Sequence, residues 1–365
     1  MVITLHFLDD KWQMISVIIG FVRVLYPHTA DRLASALFRC VYDFSPNLLT
    51  SIWTITCDNA STNPRMTIEY NLMLIEYLPM LCGAEISTCA EEDAFEPSLQ
   101  ENVDLESDQV TLVRCFAHVL QIAIKHGLAE VPAVDSAIGR LRDIVKKILS
   151  SPKLLETFQV SDTFLVGNSN SGLQEICVQL NVSSCSLVLD CETRWNSTFD
   201  MLKVALRLRK PIEELLKRIR ESFEGYTSFT ISPADPLARE IGDITWAPTK
   251  DFCLFLEPFK DATELMSGST YPTLGFVVPV FKTILEHVQA TLASTTGFKS
   301  THAKRFAVKV NEKLIEYKNL VISEHALVAA FLDPRIKHDL GDYGIDVPLL
   351  TDTVIRLYQS KYINR

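Results

Sequence analysis

One twelve-residue stretch, Ile52-Trp53-Thr54-Ile55-Thr56-Cys57-Asp58-Asn59-Ala60-Ser61-Thr62-Asn63, constrains the fold more than any other part of this chain. Its first half alternates Ile52, Thr54 and Thr56 with Trp53, Ile55 and Cys57, and its β-branched and aromatic content favours a short buried strand. Asp-Asn-Ala-Ser then breaks that strand, because short polar side chains bond nearby backbone and favour turns and helix caps. A helix is expected next, over residues 65–80. The strand therefore delivers one carboxylate, Asp58, at its C-terminal end, where α/β proteins tend to hold ligands and metals. The alternative is that Asp58 only caps the following helix.

Strand and helix signals continue on both sides. Residues 2–7 and 14–24 read as two strands joined by a turn at Asp9-Asp10-Lys11, which makes an antiparallel hairpin. The second is nearly all apolar, as expected for a strand buried on both faces. A helix follows over 31–42, with Thr29 as candidate N-cap and a stripe of Leu33, Ala36, Leu37 and Val41. After the Asp58 strand and its helix, with Met66, Tyr70, Met73, Leu74 and Tyr77 on one face, residues 91–108 carry eight acids and no base. That run reads as a surface linker. A strand over 110–115 then enters a helix that Gly127 is expected to end.

From Val134 onward the pattern is helical. Val134, Ile138, Leu141, Val145 and Ile148 form one face, and Arg140, Arg142, Lys146 and Lys147 lie beside it. Residues 196–223 read as a long helix or a pair broken near Pro211, carrying Lys203, Arg207 and Lys210. Further helices are expected over 251–266, 273–292, 303–317, 323–331 and 348–362. The expected fold class is thus an α/β front followed by a large all-helical part.

The chain has 365 residues, a net charge of −10 and 47% hydrophobic residues, so it has a real core and is not basic throughout. Nine cysteines without a Cys-x-x-Cys step indicate neither a disulfide framework nor a zinc finger. The longest apolar run near the N-terminus is interrupted and too short to span a bilayer, so no membrane partner is expected. No lysine-rich cluster resembles a nuclear localisation signal. Phosphate loops, dinucleotide fingerprints, serine elbows and His-Glu-x-x-His are all missing, which removes the easiest enzyme classes.

Two further stretches remain as candidates. Cys115-Phe116-Ala117-His118 lies at a strand–helix junction. Its Cys-x-x-His step lacks the second pair that a zinc site needs, so a buried thiol and a junction histidine is the plainer reading, with His118 near the end of the Asp58 strand. Asp190-Cys191-Glu192-Thr193-Arg194-Trp195-Asn196-Ser197-Thr198 precedes a helix. It is either a helix start with a core tryptophan, or a nucleic-acid surface in which Arg194 grips phosphate and Trp195 stacks on an unpaired base.

In this order the motifs resemble the hAT superfamily of cut-and-paste DNA transposases and host proteins descended from them. The matching residues are Leu5-His6-Phe7-Leu8-Asp9, Pro27-His28-Thr29, Thr54-Ile55-Thr56-Cys57-Asp58-Asn59-Ala60-Ser61, Cys115-Phe116-Ala117-His118-Val119-Leu120 and Thr193-Arg194-Trp195-Asn196-Ser197-Thr198. Downstream, Phe259 with Thr263, Ser267-Gly268-Ser269-Thr270-Tyr271-Pro272-Thr273 and Leu332-Asp333-Pro334-Arg335 match as well.

The resemblance implies an incomplete RNase H-like core interrupted by a helical insertion. The core portion would span 1–130, with the acidic linker at about 88–109, the insertion 131–340, and a return to the core 341–365. In the family an Asp-Asp-Glu triad binds two Mg²⁺. Asp58 matches the second carboxylate and so is the implied Mg²⁺ ligand, His118 matches a histidine near the active site, and Trp195 matches a tryptophan that stabilises flipped DNA. The first Asp, the catalytic Glu, the BED-type zinc finger and the C-terminal dimerisation segment of the family have no counterpart here, and Glu192 does not match the catalytic Glu.

The expectation is a catalytically inactive, transposase-derived protein with no resident cofactor. It would sit in the nucleus, bind DNA weakly through Arg194, Trp195, Arg140, Lys146, Lys147, Lys203, Arg207 and Lys210, and partner a full-length transposase relative. The alternatives are an active two-metal transposase or nuclease completed from outside the chain, and a protein-interaction module.

Overall fold

A computed structural model of the chain describes residues 1–11, 13–81, 109–150, 176–177, 180–183, 185–221, 235–238, 240–293 and 301–360. The acidic linker falls outside the described residues. The chain forms two compact units. One is built from residues 1–119, 265–281 and 318–365, the other from 120–264 and 282–317. Each unit is thus assembled from separated stretches, and residues 265–281 and 318–340, expected within the helical insertion, group with the N-terminal stretch.

The first unit opens with the expected hairpin, β1 (Val2–Leu8) and β2 (Met14–Phe21), paired antiparallel from Val2 opposite Phe21 to Leu8 opposite Met14. Its turn closes on Asp9, whose Oδ1 accepts from the backbone N–H of Lys11 at 2.9 Å and of Gln13 at 2.7 Å. β2 is not buried on both faces as its apolar run suggested. Ile18 is 56% and Phe21 76% exposed, because among the described residues β2 pairs only with β1 and a single face meets the helical layer. Where that face meets α1 (Ala30–Phe44), Gly20 lies so close to Cys40 that an added Cβ would overlap its Sγ.

β3 (Thr54–Cys57) pairs in parallel with β4 (Thr111–Arg114), Thr54 opposite Thr111 and Cys57 opposite Arg114. Between them in the chain runs α2 (Asn63–Leu81). Asn71 of α2 pins the entry to β4, donating from Nδ2 to the Val110 carbonyl at 2.9 Å while its Oδ1 accepts from the Val110 N–H at 2.8 Å. That pair satisfies both backbone groups of a residue that is only 2% exposed. The core under both sheets joins Ala34, Leu37 and Val41 of α1 to Met66, Tyr70 and Leu74 of α2, which places the α2 stripe where its spacing predicts. Phe38 meets Tyr70 and Tyr77 with ring centroids 5.7 Å apart in each case.

The C-terminal segments complete this unit. α10 (Glu324–Leu332) starts at Ser323, whose hydroxyl accepts from the Ala326 N–H, and α11 (Val347–Tyr358) starts at Asp346, whose carboxylate accepts from the Leu349 N–H at 3.0 Å. Val278, Ala330, Ile336, Leu340 and Leu350 form the core there. Asp346→Ala removes the partner of an otherwise unpaired helix N–H, and we expect it to cost about 1 kcal/mol in urea unfolding. A midpoint unchanged from wild type would show that water caps α11 equally well.

The second unit is helical. It takes in most of α3 (Phe116–Glu130), α4 (Pro132–Ser150), α5 (Trp195–Arg207), α6 (Arg209–Glu221), most of α7 (Asp243–Met266), and parts of α8 (Val277–Ala293) and α9 (Thr301–Val321). The expected α4 face, Val134, Ile138, Leu141, Val145 and Ile148, is buried throughout. The break between α5 and α6 falls at Leu208, three residues before Pro211, as a proline tolerated in a first helical turn requires. α3 does not stop at Gly127. It runs on to Glu130, because Gly127 is the point where the Phe306 ring approaches the helix backbone, 2.6 Å from where a Cβ would stand.

Candidate functional site

Parallel pairing of β3 and β4 brings the two N-terminal motifs to the same end of one sheet. Asp58 follows the last residue of β3. The Cys115 N–H donates to the Cys57 carbonyl at 2.9 Å, and His118 lies in the first turn of the helix that follows β4. Asp58 is exposed and His118 half-buried. The Asp58 carboxylate is already engaged locally: Oδ1 accepts from the Ala60 N–H at 3.1 Å and from Asn63 Nδ2 at 2.7 Å, and Asn63 is the first residue of α2. Asp58 therefore closes a turn and holds the start of α2. Next to it, both amide atoms of Asn59 are buried with no hydrogen-bond partner among the described residues.

A two-metal centre needs several oxygen ligands converging on each ion. Asp58 offers one carboxylate, one oxygen of which already takes two donors. Among the described residues no three His, Cys, Asp or Glu side chains come together as metal ligands.

The third motif is held by hydrogen bonds from several elements. The loop 190–194 enters α5 with Arg194 at the N-cap position. Three helices hold it. From α4, Arg142 grips Asp190 with Nε 2.8 Å from Oδ1 and Nη2 2.8 Å from Oδ2. From α5, the Thr198 hydroxyl donates to Asp190 Oδ2 at 2.7 Å, and Ser197 Oγ accepts from the Cys191 N–H at 2.9 Å. From α3, Gln121 Nε2 donates to the Thr193 carbonyl at 2.9 Å. The Asp190 side chain is fully buried. Burial alone would raise its pKa, but the bonds from Arg142 and Thr198 and the Arg142 charge hold it below the usual carboxylate range. Sequence reasoning had Asp190 at the head of the motif and Arg142 beside the apolar α4 face, but missed their pairing. The one available signal was an aspartate opening an otherwise recognisable motif.

At the tip of this loop the Thr193 hydroxyl lies 3.1 Å from Cys191 Sγ, and that hydrogen bond lowers the pKa of the exposed thiol. The Arg194 side chain is exposed, with no hydrogen bond or ion pair among the described residues. Trp195 is not on the surface, where a stacking platform for an unpaired base has to be. It is 4% exposed and packs edge-on against Phe199 with centroids 6.4 Å apart, because its position faces inward with Thr198, Phe199 and Leu202.

The remaining basic candidates divide in two. Arg140 donates to the Glu240 carbonyl at 2.9 Å, Lys147 pairs with Asp235 at 3.0 Å and Lys203 with Glu257 at 2.7 Å. These three are spent within the unit. Lys146, Arg207 and Lys210 are exposed and carry no ion pair among the described residues. No described helix is long and apolar enough to cross a membrane.

Comparison with known proteins matches two stretches of the chain. Residues 1–85 match the ZBED1 RNase-like domain, and residues 113–235 match the ZBED1 RNase-like helical domain. Zinc finger BED domain-containing protein RICESLEEPER 1 of Oryza sativa subsp. japonica is 26% identical over 97% of this chain and 42% of its own length. The Putative AC transposase of Zea mays is 26% identical over 99% of this chain and 38% of its own. Zinc finger BED domain-containing protein 4 of Homo sapiens is 20% identical over 65% of this chain and 17% of its own. The chain thus spans about two fifths of the length of the plant relatives it matches. Two family matches that together take in more than half of the residues, and transposase and BED-protein relatives aligned along nearly all of them, agree with the order of the motifs: the chain belongs to the hAT family of transposase-like proteins.

Proposed function

We propose that this chain is a transposase-derived, DNA-associating protein that does not itself cleave or join DNA. The observation that carries this reading is the contrast between two motif side chains. Asp58, which by resemblance would ligate Mg²⁺, is committed to the turn that starts α2. Arg194 is held on a fixed loop with its guanidinium exposed and with no ion pair among the described residues. A guanidinium at a helix N-terminus suits a phosphate oxygen through both charge and donor geometry. Lys146, Arg207 and Lys210 add unspent positive charge in the same unit. On this reading the first unit is the RNase H-like portion of the family fold and the helical unit its insertion. Mg²⁺ belongs to the ancestral reaction, and the place of work is the nucleus, where a DNA-associating protein meets its partner.

The test is direct. The purified 365-residue chain, incubated with a labelled duplex and Mg²⁺, leaves the duplex intact. In the same buffers its DNA affinity falls steeply between 50 and 200 mM salt, as counterion release requires. Mg²⁺-dependent cleavage that disappears in Asp58→Ala would overturn the inactivity. Affinity independent of salt would overturn DNA association through phosphates.

A further inference from the structure

We infer that Arg142 and Asp190 are positioning residues for DNA contact: they clamp the loop 190–194 so that Arg194 is presented in one fixed geometry. The inference rests on the DNA reading above and names the device that makes the contact.

The argument starts from burial. The Asp190 side chain is fully buried and that of Arg142 is 20% exposed, so neither reaches a ligand. A buried pair of this kind is weak support for stability in itself, since apolar residues of similar volume often serve as well. Its value lies in geometry. The planar guanidinium meets both carboxylate oxygens, with a third Nε contact at 3.1 Å to Oδ2, and Thr198 Oγ1 supplies a further donor at 2.7 Å. Asp190 is thereby fixed to α4 and α5 at once.

From Asp190 the chain has only four residues in which to reach α5, and three of them are restrained by hydrogen bonds. Cys191 N–H bonds Ser197 Oγ, Arg194 N–H bonds the Cys191 carbonyl at 2.8 Å, and the Thr193 carbonyl receives Gln121. Ser197 Oγ stands 2.7 Å from the Arg194 carbonyl, so the backbone of the exposed arginine is tied down as well. A loop that were mere connection would not need restraint from three helices. Together with Cys191, Glu192 and Thr193 it presents to solvent the Arg194 guanidinium, which has no hydrogen bond or ion pair among the described residues. Ordering that backbone before binding removes an entropic cost that a mobile arginine would meet on contact with phosphate.

The experiment compares wild type, Arg194→Ala, Asp190→Asn, the doubly substituted Asp190→Asn/Arg194→Ala, and the pair Arg142→Met/Asp190→Leu, all in the full chain. The last keeps the site filled with apolar volume, so it holds the fold while removing the clamp. Two readouts are taken: the slope of log affinity for a duplex probe against log salt, and amide hydrogen exchange at Cys191 and Arg194.

Arg194→Ala is expected to reduce the salt slope by about one phosphate contact. Asp190→Asn and Arg142→Met/Asp190→Leu are expected to do the same, with the double Asp190→Asn/Arg194→Ala no worse than Arg194→Ala alone. Protection at Cys191 and Arg194 is expected to fall at least tenfold in both clamp variants. Additive losses, or clamp variants that keep both the wild-type slope and loop protection, would overturn the positioning role while leaving the DNA reading intact. A wild-type slope that Arg194→Ala does not change would overturn the DNA contact itself, and the positioning role with it.

Discussion

Arg142→Ala is expected to destabilise the protein by about 3–5 kcal/mol at neutral pH, because it leaves the fully buried Asp190 carboxylate without its counter-charge. Of the four side-chain contacts to that oxygen pair, the one from Thr198 then remains. The sign of the pH dependence follows from Asp190, whose folded pKa lies below its usual value of 3.8. A carboxyl lowered on folding contributes stability that is fully present above the unfolded pKa and is lost as the pH falls through the folded one. In the variant, burial acts unopposed by Arg142 and favours the protonated form, so Asp190 takes up its proton at higher pH than in wild type. The deficit of Arg142→Ala is therefore largest at neutral pH and shrinks on acidification towards pH 4. Urea unfolding of both proteins at pH 7 and pH 4 measures it. A deficit below 0.5 kcal/mol at pH 7, or one that grows on acidification, would show that Asp190 is not held by Arg142 in solution.

That pair also marks where sequence reading stopped. Arg142 and Asp190 are 48 positions apart, and each looks ordinary in its own window: a basic residue beside an apolar helix face, and an acid at the start of a polar turn. Periodicity reports which side of an element faces inward, so the buried faces of α2 and α4 were readable from spacing alone. It reports nothing about which distant element lies opposite. For that reason the spacing of Lys147 and Lys203 gave no sign of their ion pairs with Asp235 and Glu257 from later segments. For the same reason the apolar β2 read as doubly buried, when it has a single partner strand.

Local chemistry was more legible. The strand that delivers Asp58 and the turn after it stand where the β-branched run and the Asp-Asn-Ala-Ser break place them. Trp195 was open between core and surface, and its facing with Phe199 and Leu202 favours the core. The composition of the first unit from three separated stretches had no local signature, since helix after helix carries the same period whichever unit it joins.

Phe306→Ala should be the other severe substitution, costing about 3–5 kcal/mol. Its ring is 1% exposed and stands 5.1 Å from that of Phe252 and 5.6 Å from that of Phe255, centroid to centroid, in the middle of the helical unit. On a further side it closes on Gly127, where α3 has no side chain. A glycine inside a helix costs about 1 kcal/mol against alanine, so α3 gives up intrinsic stability to let the ring approach. Gly127→Ala should therefore destabilise as well, although alanine is the better helix former, because its Cβ would stand 2.6 and 2.8 Å from two ring carbons and 3.0 Å from Val310. In Gly127→Ala/Phe306→Ala the ring is gone, the new methyl enters the vacated space and the helix propensity of alanine is realised. The double variant is then expected to be more stable than Phe306→Ala alone, a sign reversal that thermal unfolding of the four proteins would read directly. Losses that simply add would show that Gly127 is held by something other than the Phe306 ring.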